Sequence, residues 1–141
     1  MTIRGWNEAW QPLFDSLARM KSSWPTRGWS WDPRLLCITS SFTTEQEPAA
    51  KTSVQLALQN EWSSATILKA PQLLRDVVER AGGIRQGQLA LSTGPINGLL
   101  AYGLWWPWGD GETVSLRVGL GDVDPNREPY IRFRDVFSVT F

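Results

Sequence analysis

The carboxylates Asp110, Glu112 and Asp135 are the side chains in this sequence best placed for acid–base chemistry. Two carboxylates flanking tryptophan platforms would suit glycoside hydrolysis, one protonating the leaving oxygen and the other acting as base or nucleophile. Against this, Asp110-Gly111 reads as a hairpin turn, which by itself accounts for an aspartate at that position. Asp122, Asp124, Asn126 and Glu128 alternate as the oxygen ligands of a calcium loop would. Arg127, however, stands where such a loop needs glycine, and Phe133 replaces its bidentate acid. A solvated loop between strands is the better reading. No metal and no cofactor is expected.

The 141 residues include no histidine, the usual general base and metal ligand near neutral pH. Cys37, the lone cysteine, lies in the apolar run Leu35-Leu36-Cys37-Ile38, where a small buried hydrophobe is expected rather than an activated nucleophile. Its solitude excludes an internal disulfide. Gly82-Gly83-Ile84-Arg85-Gln86-Gly87 is glycine-rich but follows a helical pattern, whereas a phosphate cradle precedes one. Lys21, Lys51 and Lys69 show no characteristic spacing to a serine. The chain is therefore expected not to be an enzyme.

Nine tryptophans are the positive signal. An indole buries roughly 200 Å² and carries one N–H to satisfy, so it serves as a core anchor or a binding anchor. Trp24, Arg27, Trp29 and Trp31 share a segment punctuated by proline and glycine, the composition of an interface hot spot. The same residues would serve to pin a loop to the core, to stack on a sugar, or to cage a cation. Trp105 and Arg117 complete the candidate binding set. The expected function is a non-catalytic protein-binding module, such as a small inhibitor or immunity-type protein. The alternative is an aromatic-lined domain binding a small ligand or carbohydrate, and after it a carboxylate-based enzyme.

Fourteen basic and fourteen acidic residues cancel, so no net field draws the chain to nucleic acid or an anionic membrane. The uncharged stretch 86–109 is broken by Gln88, Ser92, Thr93, Pro95, Asn97 and several glycines, and reads as strands rather than a membrane span. The opening residues lack the apolar core of a signal peptide, so a cytoplasmic location is expected. The expected partner is another protein, and composition sets no oligomeric state.

These residues must be positioned by ordinary elements. Leu13, Phe14, Leu17 and Met20 have helical spacing, with Pro12 in the first turn, so a helix begins near Gln11. Leu35–Phe42 reads as a strand. Residues 50–60 alternate as a strand would, although Ala50, Val54, Ala57 and Leu58 also fit one helical face; the strand is preferred. A further strand is expected over Trp62–Leu68. Pro71–Ala81 is a helix closed by Gly82-Gly83. Strands follow at Gln88–Ser92, Leu99–Trp108, Thr113–Leu120 and Ile131–Phe141. The whole predicts a single α+β domain over residues 1–141, a mainly antiparallel sheet with two helices packed on one face.

Alternation sorts the tryptophans further. A three-residue hairpin loop at Gly109-Asp110-Gly111 sets Trp106 opposite Val114 and Leu104 opposite Leu116, gathering one apolar face. Trp105 then points the other way, beside Ser115 and near Arg117. Trp6, Trp10, Trp62, Trp106 and Trp108 are assigned to the fold. In the last strand Asp135 falls on the apolar side with Ile131, Phe133 and Phe137, so it needs a partner, a bulge or a role as a functional acid.

Overall fold

A computed structural model of the chain describes residues 6–26, 28–121, 124 and 126–139. Among the described residues six strands form one antiparallel sheet: β1 (Ser30–Asp32), β2 (Cys37–Thr43), β3 (Asn60–Trp62), β4 (Leu89–Ser92), β5 (Ala101–Pro107) and β6 (Thr113–Leu120). Their spatial order is β1-β2-β6-β5-β4-β3, every neighbouring pair antiparallel. The helices are α1 (Gln11–Ser23), α2 (Glu47–Val54), α3 (Gln72–Arg80) and α4 (Glu128–Phe137). The architecture is α+β, as the sequence predicts.

The sheet is covered on both sides, which two helices on one face would not achieve. Along β5, Ala101 and Trp105 belong to a core shared with Leu17 and Met20 of α1, Val54 of α2 and Phe133 of α4. Tyr102 and Leu104, of opposite parity, belong to a second core with Leu74, Val77 and Val78 of α3. A strand buried on both faces reads as a continuous apolar run, because neither parity is free for water.

This two-sided burial overturns the hairpin register. Trp106 pairs with Ser115 and Trp105 with Leu116, one residue away from the expected alignment. The connection is a four-residue loop, Gly109–Glu112, flanked by the Trp108 N–H donating to the Thr113 carbonyl at 2.8 Å. Asp110 Oδ1 accepts from the N–H groups of Glu112 and Thr113, both at 2.9 Å, and Oδ2 accepts from the Thr113 hydroxyl at 2.8 Å. These donors hold the Asp110 carboxyl below its ordinary range, the Glu112 N–H first among them.

Two expected strands are helices. Residues 47–54 form α2, entered through Pro48 in its first turn, and only Asn60–Trp62 of the following stretch is strand. Ser53 on α2 donates to the Met20 carbonyl at 2.7 Å and so ties α2 to α1. The predicted strand Trp62–Leu68 ends at Trp62, and Ile67–Lys69 is a 3-10 turn. Of the predicted strand Ile131–Phe141, residues 140–141 lie outside the described residues, and residues 131–137 instead belong to α4, which buries Tyr130, Phe133 and Phe137 and ends at a left-handed Ser138. Their spacing of three and four places them on one helical face, while Pro129 near the helix start requires no backbone donor. No helix among the described residues is long and apolar enough to cross a membrane.

Candidate functional site

The predicted aromatic residues divide between cleft, core and sheet surface. Trp24 caps the end of α1 and is 7% exposed; its Nε1–H donates to Ser40 Oγ at 3.0 Å. Trp29 packs on Trp24 at 5.1 Å between ring centroids and meets Phe137 of α4 edge-on, also at 5.1 Å. With Lys21, Ser22, Thr26, Gly28 and Ser138 these rings line a cleft of about 470 Å³. Lys21 Nζ donates across it to Ser138 Oγ at 3.1 Å. Arg27 lies outside the described residues. Trp31, on β1, meets the Tyr130 ring at 6.1 Å in a T-shaped contact. The indoles of this segment are thus largely turned on one another and on α4.

Trp105 is 2% exposed, a core residue packed on Phe42 at 4.8 Å, and Lys51 Nζ lies 5.1 Å from its ring centre. The expectation that it stands outside the core fails with the register. Trp106 takes the place foreseen for it: Arg117 lies 4.8 Å over the Trp106 ring, and Arg117 Nε is 3.4 Å from Asp32 Oδ2. Trp105 and Arg117 therefore occupy opposite faces of the sheet. Trp108, assigned to the fold on sequence grounds, is 54% exposed. Asp135 is exposed on α4, so the apolar setting that made it unusual is absent.

Cys37 is fully buried, and its thiol is pushed up to about 12, first by burial and then by the nearby Asp32 carboxylate. At neutral pH it is a protonated thiol, the inert form. Among the described residues no group of three or more cysteine, aspartate or glutamate side chains is gathered to hold a metal ion. Asp122, part of the calcium-loop comparison, lies outside the described residues.

A second concavity lies on the outer flank of α3. It encloses about 590 Å³ and is lined by Ile67, Leu68, Arg75, Val78, Glu79 and Ile84, together with Gln72 and the glycine pair 82–83. Local sequence builds it. The Ile67–Lys69 turn delivers the chain to Pro71, whose carbonyl accepts from the N–H groups of Leu74 and Arg75 and starts α3. Leu74, Val77 and Val78 pull the helix onto β4 and β5, leaving Gln72, Arg75 and Glu79 along one flank. Gly82 and Gly83, with φ of +98° and +91°, then reverse the chain, the Gly83 N–H donating to the Val78 carbonyl at 2.8 Å. Ile84 closes the far wall.

Two features set this groove apart. Leu68, at its mouth, is 82% exposed, far more than any other large apolar side chain described. Arg75 makes no ion pair among the described residues, and its Nε–H is buried without an acceptor. Sequence reasoning missed the groove because it placed Leu68 at the end of a strand. The one available signal was Pro71, which separates Ile67-Leu68 from the helix and leaves those two residues on a turn. No protein-family model, curated protein or solved structure matches the chain.

Proposed function

We propose that the chain is a non-catalytic protein-binding module, in the manner of a small cytoplasmic inhibitor or immunity-type protein, and that its partner docks in the α3 groove. The observation that carries this reading is Leu68, 82% exposed beside the apolar side chains of Ile67, Val78 and Ile84. A single exposed leucine is ordinary, but a contiguous apolar groove with a polar rim is the anatomy of a docking surface. An anchor that is exposed in the free module and buried in the complex gains roughly 1.5–3 kcal/mol from the transfer. The tryptophan cleft supports a small-ligand reading less well, because its indole faces already pack on one another. The protonated Cys37 thiol and the loop-bound Asp110 carboxylate both fit a non-catalytic role.

The test substitutes Leu68→Asp. An exposed site changes stability by no more than about 0.5 kcal/mol, so the melting curve should stay unchanged. Parallel affinity capture from native lysate should retain a stoichiometric protein on the wild-type chain, cross-linked to residues around α3, and lose it on the variant. Equal retention by both would remove the groove from the proposal.

A further inference from the structure

We infer that the α3 groove selects an acidic aliphatic peptide segment, one that sets a carboxylate against Arg75 and a neighbouring aliphatic side chain beside Leu68. This rests on the docking role proposed for the same groove and names the partner's chemistry. The carrying observation is Arg75. Arg75 lines the groove, forms no ion pair among the described residues, and keeps its Nε–H buried with no acceptor among them. Buried donors are nearly always satisfied, and a charged one left open carries a larger desolvation penalty than a neutral one. The fold has carboxylates nearby that do not relieve it: Asp76 accepts from the Gln72 amide at 2.6 Å, and Glu79, one turn on from Arg75, forms no bond to it. A planar guanidinium with free donors matches a carboxylate in two parallel hydrogen bonds, geometry that a lysine could not supply.

The walls define the rest of the ligand. Ile67, Leu68, Val78 and Ile84 offer no hydrogen-bonding side chain, so the segment must bring an apolar group to them. Glu79 lines the same groove, is exposed, and forms no ion pair among the described residues. Along α3 the order Gln72, Arg75, Glu79 gives the groove polarity: the acid belongs at the Arg75 end, and the Glu79 end disfavours a second one.

The probe is a random-peptide phage library panned on the full chain, on Arg75→Gln and on Leu68→Asp. Wild-type protein should enrich peptides with Asp or Glu close to Leu, Ile, Val or Met, and those peptides should fail on Leu68→Asp. On Arg75→Gln the selected peptides should keep the aliphatic residue and lose the acid preference. For a synthetic peptide from the wild-type selection, replacing its acid by the amide should weaken binding to wild type at least about tenfold and leave binding to Arg75→Gln unchanged. Raised salt should weaken only the wild-type complex. Groove-dependent peptides without an acid preference, or an acid preference that persists on Arg75→Gln, would overturn this inference and leave docking in the groove intact. Absence of any Leu68-dependent peptide would overturn both. Arg75→Gln should melt no lower than wild type, since the substitution removes an unsatisfied buried donor.

Discussion

At the scale of single residues, Tyr102 organises the α3 side of the sheet. Its ring lies over Gly119 on the neighbouring strand, so that a Cβ added there would come within 2.5 Å of its hydroxyl oxygen and 2.7 Å of Cζ. This close approach is why position 119 has no side chain, and Tyr102 shares its buried cluster with Cys37 of β2. Gly119→Ala should therefore cost about 1–3 kcal/mol in urea unfolding, with a smaller penalty in a Tyr102→Ala background. An equal penalty in both backgrounds would contradict the packing. The Cys37 thiol, raised from 9.0 to about 12, stays neutral in the folded chain after the unfolded chain has ionised. Its contribution to stability is complete below pH 9 and is lost as pH climbs toward 12. Stability curves over this window should fall less steeply for Cys37→Ala. Tyr102 and Tyr130, also raised by burial, keep part of the slope. At neutral pH, thiol-reagent labelling of the wild type should proceed only as fast as global unfolding.

At the scale of elements, the loop between α1 and β1 is held by aromatic contacts on α4. Trp29 sits between Trp24 and Phe137, and Trp31 meets Tyr130. Each such pair is worth about 0.5–1.5 kcal/mol beyond its buried area. Trp29→Ala should accordingly lower stability by about 2 kcal/mol, whereas Trp108→Ala, at a 54% exposed site, should change it by less than about 0.5 kcal/mol. Chemical denaturation of the two variants checks both values. A Trp29→Ala protein as stable as wild type would return that loop to consideration as a binding hot spot. The element scale also explains the reading of residues 131–141 as a strand. Ile131, Phe133, Phe137 and Val139 satisfy a period of two, but Tyr130, Phe133 and Phe137 satisfy the helical period as well. Packing of the second set against β1 and the α1–β1 loop decides between them.

At the scale of the whole molecule, one sheet serves two cores, and this governs what could be read in advance. The limits of β6, the strands near β4 and β5, and the helices α1 and α3 were legible from local signals: Pro12 and Pro71 at helix starts, Gly82-Gly83 at a helix stop, and turns around each strand. The division of the tryptophans was not. It rested on the assumption that one face of the β5–β6 hairpin must be polar, and α3 removes that assumption by burying Tyr102 and Leu104 opposite Trp105. With apolar residues on both parities, a one-residue slip carries little hydrophobic penalty within the hairpin itself, and register passes to the loop and to the flanking strands β2 and β4. Trp105 thereby enters the core and Trp106 meets Arg117. The groove is likewise a tertiary product, since Leu68 and Ile84 meet only where the chain enters and leaves a helix already seated on the sheet. By itself the sequence determined the absence of histidine chemistry, the α+β class and the two best-punctuated helices, because these depend on composition and on contacts within a few residues. Only the tertiary structure decided which face each tryptophan occupies and that Arg75 has no ion-pair partner among the described residues, because burial and pairing depend on surfaces brought together from distant parts of the chain.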